Sequence, residues 1–389
     1  MAADAHIGIN GLFLDHPLTG TGVYTREVST RLALAQEGLS YTIFGHPEHM
    51  GFMQGFGGIS YVGMRALPGR PTSNAEKIMW EQVALPKASL RHRIDLLFSP
   101  YFSLPIRVNT RTTLTVHDVI PLILPEYAPS SGLKAYFRLV SAAARRADAV
   151  VTDSKHSAGD VARVLGVHAD RVHVIYLGVD QRFRQPVVLE SVRELRVRLG
   201  LPERFMLYLG GTDPRKNTDV LLNALRVLRD RGQRVMPLAL VASRRSSARH
   251  AAWEACDPRA NATRLGVTEQ VQFLDWIDEV DKPALYAAAR AFVFPSRYEG
   301  FGLPPLEAMA AGTPVLCSSA SSLPEVVGNA GLLLNPDDAE SWADALVRID
   351  EDASLREELA LRGREQAAQF TWERTTAELA ALFRRLVVG

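Results

Sequence analysis

Phe294-Pro-Ser-Arg-Tyr-Glu-Gly-Phe-Gly-Leu-Pro-Pro-Leu-Glu-Ala-Met-Ala-Ala-Gly312 is the stretch on which the reading of this chain turns. Ala291 to Phe294 is a short apolar run of strand character; Gly300 and Gly302 break it, and Pro304 and Pro305 open a helix that Gly312 closes. Prolines suit a first helical turn, where a missing N–H costs nothing. The amides of Gly302, Leu303 and their neighbours are then left facing whatever lies in front of the helix. Such a helix end carries partial positive charge and suits a phosphate. Glu299 in the loop and Glu307 in the first turn flank the same spot. Two carboxylates would repel a phosphate, so they are better matched to the hydroxyls of a sugar and a ribose. A surface Glu and a second Glu complementing a helix dipole would account equally well for the bare pair.

With 389 residues the chain is too long for one ordinary core and is expected to form two domains, for which 47% hydrophobic residues are ample. A formal charge of +1, from 44 basic and 43 acidic residues, leaves no polybasic module and argues against a nucleic-acid partner. The two cysteines, Cys256 and Cys317, have no ligand-like spacing and the start of the chain has no secretory pattern, which points to a reducing cytoplasm. No apolar run approaches membrane-spanning length.

Outward from the central stretch, His6 to Asn10 predicts a buried first strand, followed by a loop with Gly11, Gly20 and Gly22 and a helix starting near Val23. Thr25 stands where a dinucleotide fingerprint needs its third glycine, which disfavours a nicotinamide enzyme; the glycines serving only a tight turn is the plain alternative. Glu76 to Pro86 predicts a short amphipathic helix around Ile78, Trp80 and Val83. Thr112 to Val116 predicts a buried strand with His117 and Asp118 at its carboxyl end, where α/β sheets place ligands. His117 can donate a hydrogen bond there. Asp118 either orients that ring or, the favoured reading, accepts backbone amides of the loop at 119–125. Leu133, Phe137, Val140 and Ala144 recur at helical spacing beside Lys134, Arg138, Arg145 and Arg146, giving a basic face that is either solvated or in peripheral contact with a membrane. Ala149 to Asp153 is a further strand.

Phe205 to Leu209 opens a second α/β unit, and Gly210-Gly-Thr-Asp-Pro-Arg-Lys-Asn217 leads into a helix over Val220 to Leu228. Arg215 and Lys216 at that strand-to-helix turn make a phosphate site by charge and by backbone geometry; a basic pair facing water is the alternative. Leu238 to Ala242 predicts a strand, with a long Arg-rich loop over Ser243 to Thr263 after it. Asp350-Glu-Asp352 is an Asp-x-Asp string, but it lies between two helical segments, so Asp352 reads as an N-cap and no metal site is expected.

Glu299, seven residues, then Glu307 resembles the signature of the retaining glycosyltransferases of family 4, and Ser296-Arg297-Tyr298 and Ala311-Gly-Thr-Pro-Val315 fit the same family. The resemblance covers nearly the whole chain and implies an α/β fold of two Rossmann-like, doubly wound domains facing a cleft, the glycosyltransferase-B fold. The expected domains are 1–185 for the acceptor, rejoined by a terminal helix at 370–389 anchored by Trp372, and 186–369 for the donor, with a hinge near 180–200. The resemblance makes His117 and Glu299 catalytic, both beside the donor sugar. It assigns Gly22, Arg215, Lys216, Phe301, Gly302 and Leu303 to the donor diphosphate and Glu307 to the ribose. Main-chain atoms around Trp276 and Ile277 would face the base, and Tyr24 and Asp118 would lie on the acceptor side. Leu177 stands where the family usually has Asn, and Gly211 and Thr212 where some members have another Arg.

The implied activity is retaining transfer of a hexose, mannose or a deoxyhexose such as rhamnose, from a GDP-activated donor. The acceptor would be a glycan or polyprenyl-diphosphate-linked glycan in bacterial O-antigen or related polysaccharide synthesis. The protein would be cytoplasmic, at the inner membrane's cytoplasmic face, and would need neither cofactor nor metal. A same-fold epimerase or phosphorylase and a non-catalytic nucleotide-sugar binding subunit are the competing readings. No pyridoxal-type Lys motif supports the first, and the complete Glu pair disfavours the second.

Overall fold

Short β-branched and apolar runs form parallel strands, buried on both faces in the middle of each sheet and partly exposed at the edges. The computed structural model of the protein describes residues 5–32, 34, 38–51, 58–65, 74–127, 130–241 and 257–388. The chain divides into two compact units, Met1–Gly178 with Thr371–Gly389, and Val179–Phe370.

In the first unit, β1 (Ala5–Asn10), β2 (Leu39–Gly45), β3 (Ile59–Gly63), β4 (Leu96–Ser99), β5 (Arg111–Thr115), β6 (Ala149–Thr152) and β7 (Val172–Val174) pair in parallel in the order β3-β2-β1-β4-β5-β6-β7. The order reverses between β1 and β4, so the loops leaving these two strands open a crevice at their carboxyl ends. Helix α1 (Gly20–Leu32) begins three residues earlier than its apolar pattern suggests, because the Thr19 hydroxyl accepts the Gly22 amide at 3.0 Å and caps the first turn. Gly22 therefore lies inside the helix; a Cβ there would sit 1.9 Å from the His16 carbonyl oxygen, so close backbone approach requires glycine.

The single helix expected over 76–86 is instead α2 (Asn74–Met79), a π turn at Trp80–Ala84, and α3 (Leu85–Arg91). Pro86 has no N–H for the carbonyl four residues before it, and the ladder widens by one residue, which turns both Trp80 and Glu81 into the interior. Ser130 and Ser154 cap α4 (Ser131–Ala144) and α5 (Lys155–Asp160). The terminal helix (Trp372–Val388) packs on this unit: Phe383 meets Phe98 at 5.1 Å, and Trp372 lies so close to Gly178 that a Cβ there would be 2.1 Å from the Trp372 nitrogen.

The second unit contains α6 (Leu189–Leu199), β8 (Met206–Leu209), α7 (Thr218–Asp230), β9 (Leu238–Val241), α8 (Pro258–Leu265), β10 (Val271–Leu274), α9 (Lys282–Ala288) and β11 (Ala291–Phe294). After these come α10 (Leu303–Ala311), β12 (Val315–Ser318), α11 (Leu323–Val327), β13 (Leu332–Leu334), α12 (Ala339–Glu351) and α13 (Ala353–Ala367). The parallel sheet runs β10-β9-β8-β11-β12-β13 and reverses between β8 and β11.

Three expectations change. The chain passes between units at Gly178, before residue 185 and before the 180–200 hinge. The Val179 amide donates to the Phe370 carbonyl at 3.1 Å, and Phe183 is buried beside Tyr286. Arg184 donates to the carbonyls of Ala367 and Phe370 at 2.9 Å each, so the segment satisfies the end of α13 and belongs with the second unit. Residues 189–199 are a helix, closed by Gly200 in the left-handed region. The loop expected over 243–263 gives way to α8, capped by Asp257, while 243–256, including Cys256, lie outside the described residues. Asp352 caps α13 through the Leu355 amide at 2.9 Å, and Asp350 accepts the Met236 amide and pairs with Arg204.

Candidate active site

The loops leaving β8 and β11 are neighbours because their strands pair at the point where the sheet order reverses. Asp213 caps a single helical turn, Pro214–Lys216, by accepting the Arg215 amide, and Asn217 ends it in the left-handed region at φ 57. The Asn217 side-chain amide then donates to the carbonyls of Pro295 and Pro336, and the Arg297 amide donates to the Arg215 carbonyl at 2.8 Å. These bonds sew the two loops together. Backbone geometry thereby fixes where the side chains of Arg215, Lys216 and Glu299 meet.

They meet at one carboxylate. Lys216 Nζ donates to Glu299 Oε1 at 2.7 Å and Arg215 Nη1 lies 3.0 Å from Oε2, while the Ser296 hydroxyl donates to Oε1 at 2.5 Å. Behind them Lys216 Nζ sits 5.0 Å from the centre of the Phe294 ring, and Arg215 also donates to the Tyr298 carbonyl at 2.8 Å. Burial alone would push the Glu299 carboxyl up, but Lys216 and Arg215, with the bond from Ser296, overcome it and hold the group down at about 2. Burial likewise draws Lys216 below its ordinary value, against the pull of Glu299. The Glu299 backbone is equally fixed: its amide donates to Ser321 Oγ, and Ser322 Oγ donates to the carbonyls of Glu299 and Phe301. Ser321 itself takes a left-handed φ of 53.

Beyond this carboxylate, Gly302 stands before α10 with φ 121, a region open to glycine, and a Cβ there would come 2.8 Å from Leu323. Pro304 and Pro305 carry no N–H, and the Leu306 amide bonds to the Gly302 carbonyl. The helix end is thus left with the amides of Gly302 and Leu303, neither of which meets an acceptor among the described residues. Phe301 is buried, its ring edge-on to Phe370 at 5.8 Å. Since α10 begins at Leu303, Glu307 falls in the second turn, not the first as expected: the prolines occupy the positions before it. Its Oε2 accepts the Tyr286 hydroxyl at 2.9 Å, and burial raises its pKa despite Lys282 nearby. After β10, Ile277 is buried and Trp276 is exposed, donating its indole N–H to Asp278 at 3.0 Å.

In the first unit His117 follows β5, and its Nδ1 lies 2.6 Å from Asp153 Oδ2 while Nε2 lies 3.3 Å from the Pro100 carbonyl. Both ring nitrogens face acceptors, which suits the imidazolium. Burial opposes that charge, but Asp153 outweighs it and the His117 pKa is raised. The Tyr24 ring meets the imidazole edge-on at 4.8 Å. Tyr24 is itself buried, with its hydroxyl 3.0 Å from that of Thr115, so it backs the imidazole. Asp118 accepts the Ile120 amide at 3.0 Å, the backbone role favoured above, and the carboxylate that orients His117 is Asp153.

Residues 203–352 match the family described as Glycosyl transferases group 1, and residues 18–183 match Glycosyltransferase Family 4. The O-antigen chain mannosyltransferase B of Escherichia coli is 31% identical over 393 residues, spanning 96% of this chain and 98% of that protein. The chain belongs to glycosyltransferase family 4. Among solved structures, sucrose-phosphate synthase from Thermosynechococcus elongatus superposes with a TM-score of 0.75 at 23% identity, covering 99% of each chain. WaaG, a glycosyltransferase involved in lipopolysaccharide biosynthesis, gives 0.70 at 17% identity over 97% of this chain and 99% of its own. The fold of this family 4 enzyme is therefore that of the glycosyltransferase-B class.

The sequence puts Arg215 and Lys216 at one strand-to-helix turn and Glu299 in the loop after another strand; their mutual contact, and Asp153 as the partner of His117, come only from the fold. Strand register supplies that partner: β5 and β6 pair with Thr113 opposite Ala149 and Thr115 opposite Val151, an offset of 36, which carries His117 to Asp153. Two expectations follow for the glycosyltransferase. Glu299 ionises at about 2 when folded against 4.5 ordinarily, so its contribution to stability is complete above about pH 4.5 and is lost as the pH falls toward 2. Urea unfolding should find Glu299→Gln less stable than the wild type at pH 7, with the gap narrowing below pH 4.5; a constant gap down to pH 3 would refute the ion-paired assignment. Asp153→Asn should lower the His117 midpoint in an imidazole NMR titration, and an unmoved midpoint would remove Asp153 as its partner.

Proposed function

We propose that this enzyme transfers mannose from GDP-mannose, with retention at the anomeric carbon, to a glycan acceptor in the synthesis of an O-antigen-type surface polysaccharide. The full-length likeness to an O-antigen mannosyltransferase supports the sugar and the pathway. The observation that carries the chemistry is the meeting of two cations, one carboxylate and a pair of helix-end amides at the reversal point of the second sheet.

In this reading Arg215, Lys216 and the amides around Phe301, Gly302 and Leu303 take the donor diphosphate and stabilise it as leaving group. Phosphate oxygens compete with Glu299 for the same two cations, and the carboxylate, ionised at any working pH, turns to accept hydroxyls of the sugar. Glu307 accepts from the ribose in addition to Tyr286, and the main chain at Trp276 and Ile277 borders the base. Gly22, its amide taken by Thr19, serves the diphosphate indirectly, by letting the first turn of α1 pack on the His16 carbonyl. His117, held charged by Asp153 and backed by Tyr24, donates to the reacting sugar, and Asp118 shapes the loop beside it. With this positive charge in place the reaction needs no metal ion for leaving-group stabilisation.

The setting proposed is the cytoplasm, with the exposed Lys134 and Arg138 of α4 and Arg145 and Arg146 just after it turned toward anionic headgroups of the inner membrane. Among the described residues no helix is long and apolar enough to cross a membrane.

A donor panel assayed with a mannoside acceptor should give transfer from GDP-mannose in the presence of a chelator, with the α-configured product identified by NMR. An inverted product, transfer from no nucleotide sugar, or activity restored only by magnesium or manganese would each overturn the corresponding part. Joint replacement of Arg215 and Lys216 by Ala should weaken GDP binding by calorimetry at least 100-fold, about 3 kcal/mol for two lost charged hydrogen bonds. Unchanged affinity would place the diphosphate elsewhere.

A further inference from the structure

A second polar cluster lies at the carboxyl edge of the first sheet, where β1 and β4 part. Asn10, the last residue of β1, accepts the Trp80 indole N–H at 3.0 Å and donates to Ser99 Oγ and Tyr101 Oη. Tyr101 in turn donates to Glu81 Oε1 at 2.9 Å, and the Tyr136 hydroxyl reaches both oxygens of that carboxylate at 3.2 and 3.3 Å. Glu81 is wholly buried, carried inward by the π turn. Irregular turns of this kind concentrate at functional positions.

Lys77, one turn earlier, completes the arrangement. Its Nζ sits 5.3 Å from the centre of the Phe13 ring, 5.2 Å from Tyr101 and 4.9 Å from Tyr136, and 3.9 Å from Glu81 Oε1. Three aromatic rings and a carboxylate thus fix one ammonium group, whose side chain keeps 29% of its surface exposed while that of Glu81 keeps 0%. Among the described residues no acceptor lies within ordinary hydrogen-bond distance of Nζ, so its N–H donors are unmatched by protein. Stability does not account for such a device. Burial works against both charges, lowering the Lys77 pKa and raising that of Glu81, and a buried ion pair adds little over apolar packing.

We infer that Phe13, Lys77, Tyr101 and Tyr136, gathered around Glu81, form a subsite for an uncharged sugar ring, the terminal residue of the acceptor glycan. Three features select this ligand. Lys77 and Glu81 cancel, so the site has no net charge to draw a phosphate, unlike the pair of cations at Glu299. The half-buried rings of Phe13 and Tyr136 offer apolar surface to sugar C–H groups, and the fixed ammonium offers donors to a hydroxyl. Its place, at the reversal point of a parallel sheet, is where this fold class binds ligands.

That the sugar is an acceptor rests on the transferase reading; that a sugar binds here does not. Saturation-transfer NMR on the intact protein with the methyl glycosides of mannose, rhamnose, glucose, galactose and N-acetylglucosamine tests it. At least one glycoside should receive saturation from aromatic protons, and Lys77→Met and Phe13→Leu should each weaken its binding about tenfold with GDP affinity unchanged. Phe13→Leu leaves the ion pair intact and decides the matter if Lys77→Met does not fold. No glycoside bound by the wild type, glycoside binding indifferent to the folded variants, or binding of inorganic pyrophosphate that Lys77→Met abolishes would overturn the proposal. Failure of the transferase reading would show separately, as absence of GDP binding and of sugar transfer whatever the glycosides do.

Discussion

A carboxylate as buried as that of Glu299 is tolerable only with charge beside it, and here both the charge and its direction come from one loop. Removing an ionised group from water costs several kcal/mol unless it is paired and hydrogen-bonded. Lys216, Arg215 and Ser296 supply the pairing, and the loops of β8 and β11 must lie side by side for them to do so. Much of the second unit's irregular structure follows from that requirement. Asn217 takes a left-handed backbone so that its amide can tie the loops, and Ser321 does likewise while receiving the Glu299 amide.

The same constraint explains how one group of residues can serve both an empty and an occupied donor site in the proposed reaction. Two cations that hold a carboxylate ionised are also the cations a diphosphate would seek, so donor binding exchanges one anionic partner for another within a preorganised set. The helix-end amides of Gly302 and Leu303 add to that set without adding a titratable group. Prolines at the next two positions confine the donors to these residues.

The first unit solves a different problem with the same architecture. Its sheet ends in groups that face one another through strand register: His117 and Asp153 after β5 and β6, and Asn10 and Tyr101 around β1 and β4. In the first pair a carboxylate fixes the orientation of the imidazole, and in the second an amide donates to a phenol oxygen. Tyr24 then closes His117 from behind, and Trp372 of the terminal helix lies 6.1 Å from Tyr24, so a helix from the far end of the chain supports the imidazole's setting.

Local sequence determined much of this. Apolar runs bounded by glycine and proline marked the strands, Pro304, Pro305 and Gly312 marked the ends of α10, and charge at a strand-to-helix turn marked Arg215 and Lys216, because each signal depends only on neighbouring residues. The 389-residue length and the Glu pair spaced by seven residues pointed to two units and to a transferase family. What the sequence left open is whatever depends on residues distant along the chain. The Glu299 carboxylate meets Lys216, 83 residues earlier, and its neighbour Arg215, and His117 meets Asp153 36 residues later, through loop adjacency and strand register that no local pattern encodes. The widening at Trp80 to Ala84 was only half legible: Pro86 announces a lost helical bond, but a helix and a π turn share one apolar period over so few residues, and the packing of Trp80 and Glu81 around Asn10 and Tyr101 is set by distant parts of the chain.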